Sequence, residues 1–204
     1  MVAIIDYGVG NLFSLKSSFA AIGQEAAVTA DPEELKRADK LILPGVGAFQ
    51  DAADKLRRSG MDQALKEEVS RGKLLLGICL GMQMLFERSF EYGEHEGLGL
   101  LKGEIRPIAE RIPVGLKIPQ MGWNSLRIIR ESPLLKDTRE GEYVYFVHSY
   151  YPAVESKYGI ARTEYMVPFY SIISRDNVAA AQFHPEKSGP VGIQIMRNFI
   201  QCEA

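Results

Sequence analysis

Short apolar runs alternate with helical patterns through the first half of the chain, and strands separated by Gly, Pro and Ser dominate residues 101–183. Together they predict an α/β fold: a parallel, helix-flanked central sheet with an antiparallel β extension. Size supports the same architecture. At 204 residues, 46% apolar and 25% charged, the chain reads as one domain, residues 1–204, with ample material for a core.

Val2–Ile5 reads as a buried strand, followed by a turn at Asp6-Tyr7-Gly8-Val9-Gly10-Asn11. Leu12, Leu15, Phe19 and Ile22 then recur at helical spacing until Gly23, a C′ residue. Asp31-Pro32-Glu33-Glu34 is a helix start, with Asp as N-cap, Pro at N1 and an acid at N3. Lys40–Leu43 is a second buried strand, ending in Pro44-Gly45-Val46-Gly47, and helical patterns cover Phe49–Arg58 and residues 61–71. Residues 73–78 form a third strand, and residues 80–88 read as a helix directly behind it. In the second half, residues 123–129, 142–149 and 177–182 are expected strands, and a helix over 190–201 closes the fold.

Composition excludes several classes. A net charge of −2, from 24 basic and 26 acidic residues, supplies no basic stripe for a nucleic-acid backbone. The longest uncharged run, residues 74–86, is too short to span a bilayer and is interrupted by Gly77 and Gly81. No basic segment precedes the apolar start, so no signal peptide is expected. Two cysteines, Cys79 and Cys202, make neither a disulfide framework nor a zinc site. A cytoplasmic protein without metal or membrane partner is the expectation.

Leu75-Leu76-Gly77-Ile78-Cys79-Leu80-Gly81-Met82-Gln83 carries the chemistry. A strand runs into G-x-C-x-G and a helix begins at once, the layout of a nucleophile elbow with sulfur replacing oxygen. The helix N-terminus beneath Cys79 favours a thiolate, and the Leu80 N–H points where an oxyanion would form. Alone, the motif also fits a buried structural cysteine.

The base must come from three histidines. His95 lies in a polar, Gly-containing loop and reads as solvated, and His148 ends an apolar strand and reads as a satisfied, partly buried ring. His184, in His184-Pro185-Glu186, has a carboxylate two positions on, which an extended segment would place on the same side. Alone, H-P-E fits a surface turn. G-x-C-x-G followed by H-x-E points to the catalytic set Cys79, His184 and Glu186. The histidine precedes its acid, whereas α/β-hydrolases run nucleophile, acid, histidine.

These two motifs resemble those of the class I, triad-type glutamine amidotransferases, and Pro44-Gly45-Val46-Gly47-Ala48-Phe49 resembles that family's oxyanion loop. Asp6-Tyr7-Gly8-Val9-Gly10-Asn11, Pro119-Gln120-Met121-Gly122-Trp123-Asn124 and Tyr145-Phe146-Val147-His148-Ser149-Tyr150 are similar to the branch serving imidazole glycerol phosphate synthesis. The resemblance spans essentially the whole chain.

It implies hydrolysis of L-glutamine through a Cys79 thioester, with His184 moving the proton and Glu186 orienting the ring. An oxyanion would sit between the N–H of Leu80 and an N–H of the Gly45–Gly47 loop, from Val46 or Gly47. The resemblance assigns Gln83, His148, Ser149 and Tyr150 to glutamine binding, and Asn11, Trp123 and Lys187 to the partner-facing surface around an ammonia passage. It implies no cofactor, and a heterodimer with a cyclase subunit of (β/α)₈ barrel fold. Asn11 could equally cap its helix, Trp123 could be core, and Lys187 a solvated charge. Also open are a glutaminase of pyridoxal phosphate or anthranilate synthesis and a non-catalytic scaffold subunit. A nucleotide site is disfavoured because Phe13 stands where G-x-G-x-x-G needs its third glycine.

Overall fold

The computed structural model describes residues 1–113, 115–154 and 156–203. Its main sheet has eight strands: β1 (Val2–Ile5), β2 (Ala26–Thr29), β3 (Lys40–Leu43), β4 (Leu74–Ile78), β9 (Arg127–Ile128), β12 (Gly159–Tyr165), β13 (Val167–Arg175) and β14 (Val178–Ala181). They lie in the order β2-β1-β3-β4-β14-β13-β12-β9. The first five are parallel, and from β14 to β9 each pairing is antiparallel.

Strands β1, β4 and β14 carry no polar side chain because both faces of the sheet are covered. In β1, Ala3 and Ile5 face one layer with Leu41, Leu43, Phe49 and Leu65, whereas Val2 and Ile4 face the other with Phe19, Ile42, Leu76 and Phe199. Two helices, α1 (Leu12–Ala21) and α6 (Gly189–Gln201), cover one face. The other is covered by α2 (Pro32–Arg37), α3 (Phe49–Arg58) and α4 (Met61–Ser70). Helix ends follow local chemistry. The Asp31 side chain accepts from Glu33 N–H at 2.9 Å with Pro32 at N1. After α1, Gly23 adopts φ +75 and its N–H bonds the Ala20 carbonyl, as a C′ glycine does.

Two smaller sheets complete the fold. One pairs β8 (Gln120–Ser125) with β10 (Tyr143–His148) antiparallel. The other runs β11-β7-β5-β6, from β5 (Phe86–Ser89), β6 (His95–Glu96), β7 (Leu101–Pro107) and β11 (Tyr150–Ala153).

Two expectations are corrected. The helix expected over 80–88 is α5 (Leu80–Met84), and the chain then becomes β5, parallel to β7. The cause is tertiary: Leu98 and Gly99 donate N–H bonds to the carbonyls of Met84 and Phe86, which a continuing helix would use itself. Gly97 lies so close that a Cβ there would be 2.1 Å from the Phe86 carbonyl oxygen. The strand expected over 123–129 is divided at Leu126. Before it β8 pairs with β10; after it β9 pairs with β12, so one continuous segment serves two sheets.

Candidate active site

The carboxyl ends of β1, β3, β4 and β14 converge, as parallel sheets place their sites. Cys79 follows β4 directly, at φ 54 and ψ −111, and α5 starts at the next residue. A non-glycine residue there is strained, and here the surroundings leave it no alternative. Its N–H bonds the Ala181 carbonyl at 2.8 Å. The flanking glycines serve close approach: a Cβ on Gly81 would lie 1.9 Å from the Leu43 carbonyl oxygen, and one on Gly77 would lie 3.0 Å from Met82 N. Leu80 is N1 of α5, so its N–H has no partner within the helix.

His184 lies just beyond β14, with its N–H on the Tyr145 carbonyl at 3.0 Å. Its Nδ1 is 2.9 Å from Glu186 Oε1, and both side chains are essentially removed from solvent. Sequence pairs the right residues for the wrong geometric reason. Pro185–Lys187 is a 3₁₀ turn, and it is this turn, not strand alternation, that returns the carboxylate to the ring. The other ring nitrogen, Nε2, is buried, makes no hydrogen bond of good geometry, and belongs to the residue that lines the cavity with Cys79. Burial alone would lower the His184 pKa; the neighbouring Cys79 and the bonded Glu186 overcome it and push the ring up to about 10. An imidazolium is therefore the favoured form at neutral pH.

A cavity of about 280 Å³ opens over these groups, below the roughly 300–1,000 Å³ of drug-sized sites and suited to a small metabolite. Val46, Gly47, Cys79, Leu80, Gln83, Glu91, Pro119, His184 and residues 147–150 line it. Every expected catalytic, oxyanion and substrate residue except Glu186 therefore contacts one space, with Glu186 behind His184.

Gln83 is 4% exposed, and its amide donates to Tyr150 O and to Gln182 Oε1, both at 3.1 Å. It ties α5 to the cavity wall. His148 is occupied on both nitrogens: Nδ1 lies 2.8 Å from the Tyr150 carbonyl and Nε2 3.0 Å from the Gln120 side chain. Burial pushes it down to about 4, so it is neutral and structural at working pH. His95 is not the solvated loop residue expected. It pairs with Ser89 in β6, and its Nε2 is buried without a hydrogen-bond partner.

Sequence reading passed over Glu91. It is raised by burial, against the lowering effects of a 2.5 Å bond from Phe49 N–H and of His95. Nothing local marks it, because its role depends on α3, which begins 42 positions earlier.

Trp123 is not core. It is 55% exposed on β8 and meets Tyr145 edge-on at 6.0 Å, with Lys187 Nζ 5.9 Å above the Tyr145 ring. Met121, on the same face of β8, is 66% exposed. The face starts at Val147 and Pro119, which line the cavity, and runs outward. Asn11 precedes α1 and makes no side-chain cap bond. Among the described residues no cluster of His, Cys, Asp and Glu could hold a metal ion, and no helix is long and apolar enough to cross a membrane.

A cysteine on a strand-to-helix elbow, a buried His–Glu pair and a small cavity between them define a triad enzyme of the thiol type. Residues 3–202 match the family model for class I glutamine amidotransferases, and the chain belongs to that family. More particularly, it is 50% identical to the imidazole glycerol phosphate synthase subunit HisH of Wolinella succinogenes, over 100% of this chain and 99% of that one. It is 49% identical to the subunit of the same name from Caldanaerobacter subterraneus, over 99% of this chain and 100% of that one. A solved structure described as a glutamine amidotransferase superposes with a TM-score of 0.77 at 20% identity, covering 98% of both chains, which shows the shared fold.

Proposed function

We propose that residues 1–204 act as one glutamine amidotransferase domain: the glutaminase subunit of an imidazole glycerol phosphate synthase, in histidine biosynthesis in the cytoplasm. The observation that carries the reading is the Glu186-bound His184, whose free Nε2 shares one small cavity with Cys79. Full-length similarity to the HisH subunits supports the choice of synthase.

Cys79 Sγ attacks the side-chain amide carbon of glutamine, opening the carbonyl to an oxyanion. The N–H of Leu80 and one from Val46 or Gly47 receive that charge. His184 holds the thiol proton at Nε2 and delivers it to the departing nitrogen, so ammonia leaves and a γ-glutamyl thioester remains. Water, deprotonated by the same nitrogen, then attacks the thioester and releases glutamate and the Cys79 thiol. Glu186 keeps Nδ1 protonated and supports the imidazolium.

Glutamine carries an ammonium and a carboxylate at its other end. Glu91, a carboxyl group on the cavity wall, suits the ammonium, while Gln83 holds the Tyr150 carbonyl, and with it the His148–Tyr150 wall, in place around the substrate. Ammonia protonates in water, so it has to pass directly to an acceptor. The apolar strip of Met121 and Trp123, with Lys187 beside it over the Tyr145 ring, suits a cyclase partner of (β/α)₈ barrel fold, and Asn11 is assigned to the same partner-facing surface.

The test is glutamate release from glutamine by the purified chain, alone and with an imidazole glycerol phosphate cyclase and its nucleotide ligand. Release that rises with the cyclase and vanishes in Cys79→Ala is expected. Release indifferent to the cyclase would assign the chain to another synthase. No release under any condition would leave Cys79 a structural residue.

A further inference from the structure

The Tyr7 hydroxyl donates a 2.7 Å hydrogen bond to the carbonyl of Pro44, and the ring is 5% exposed. Nothing in the proposed chemistry uses this phenol. Yet its acceptor is the first residue of the loop that carries Val46 and Gly47. The next residue, Gly45, lies against the start of α5: a Cβ there would be 2.6 Å from Gly81 N and 2.9 Å from Leu80 Cβ. The bond therefore fixes the loop where it abuts the Leu80 donor. From the other side Gly10 closes on Pro44, so that a Cβ would lie 3.1 Å from its Cγ. At the far end Glu91 accepts from Phe49 N–H. Only residues 45–48 span the two clasps, and Gly47 among them has open space around it.

We propose that Tyr7 is a positioning residue for catalysis: its hydroxyl holds the Pro44 carbonyl so that the Val46–Gly47 segment stays in register with the Leu80 N–H and the two complete one oxyanion site. The inference rests on the glutaminase reading above and adds a residue to it. Burial, and then Cys79, push the phenol far up, so it stays a neutral donor across the working range. Because Tyr7 and Asn11 share the β1–α1 loop, the clasp links the partner-facing surface to the oxyanion loop through one short segment.

Tyr7→Phe keeps the ring and deletes the bond. It is assayed in the complex with a cyclase, with kcat expressed per glutamine-protectable thiol so that any misfolded fraction drops out. Misplacing the oxyanion donors should lower kcat by about tenfold, with KM for glutamine unchanged. Inhibition by the γ-aldehyde analogue of glutamate should weaken by a similar factor. That compound adds the Cys79 thiol across its C=O, forming the S–C bond and a tetrahedral oxygen with no leaving group, so it needs the same donors. Alkylation of Cys79 by iodoacetamide, which forms no oxyanion, should keep its wild-type rate. A Tyr7→Phe enzyme with unchanged kcat and aldehyde affinity overturns the proposal, as does one in which kcat and alkylation fall together, the mark of general disruption. Wild-type complex that releases no glutamate would overturn the parent reading, and this one with it.

Discussion

The two sides of the cavity are built by different physics. On the nucleophile side the backbone does the holding: Cys79 N–H bonds Ala181 O, and Gly45, Gly77 and Gly81 let chain pack on chain with no room for a methyl group. On the base side polar side chains do it. Ser188 Oγ donates to His184 O at 2.6 Å and accepts from Tyr145 N–H at 3.0 Å, while Glu186 holds the ring. One side depends on steric exclusion and the other on charge and hydrogen bonds. They should therefore fail under different substitutions.

The largest effect is expected on the steric side. Gly81→Ala would place a methyl carbon 1.9 Å from Leu43 O, so β3 and α5 must separate. Loss of about 1–3 kcal/mol or more in thermal or urea unfolding is expected, together with loss of glutamine hydrolysis. A stable, active Gly81→Ala protein would break the contrast.

Next comes Glu186→Gln, which keeps shape and removes charge. kcat should fall by about 10²–10⁴-fold while the fold persists. It should also move the pH dependence. The His184 pKa is raised in the folded chain to about 10 from 6.5. The charged ring thus contributes stability that is fully present below about 6.5 and is lost as pH rises through about 10. In the Glu186→Gln variant that loss should set in at lower pH, in thermal melts taken across the range.

The smallest effect should follow Ser188→Ala. It leaves Tyr145 N–H short of a partner, while the His184 carbonyl keeps its 3.0 Å bond from Lys187 N–H, at a cost of about 1 kcal/mol in stability and a modest loss in kcat. A drop in kcat as deep as that of Glu186→Gln would mean that position of the ring, rather than charge, governs the base side.

The same division explains what could be read from sequence. The steric side is marked locally: G-x-C-x-G, the buried strand before it and Asp31-Pro32 each show within a few residues, and the structure places them as read, while the atoms that Gly81 and Cys79 meet, Leu43 O and Ala181 O, lie far off in sequence. The base side and the outer sheets depend on distant partners. His184 and Glu186 were legible as a pair, but the turn that joins them was not, because a 3₁₀ turn and an extended H-P-E look alike in sequence. Residues 86–89 have a helix-compatible pattern and become β5 only because residues 97–101 take their carbonyls. Glu91 and Tyr7 left no signal for a related reason: their acceptor and donor groups are backbone atoms of a loop and a helix start some 40 positions away. Trp123, which could have been core, faces outward because Gln120, on the opposite face of β8, already turns inward to bond His148.

The central claim is that Cys79, activated by His184 and Glu186, forms a γ-glutamyl thioester. Rapid acid quench of the cyclase complex turning over glutamine, followed by peptide mass spectrometry, tests it directly. A γ-glutamyl adduct on the Cys79 peptide is expected, absent in Cys79→Ala and absent from Cys202. Steady turnover with no such adduct, or with the adduct on another residue, would contradict it.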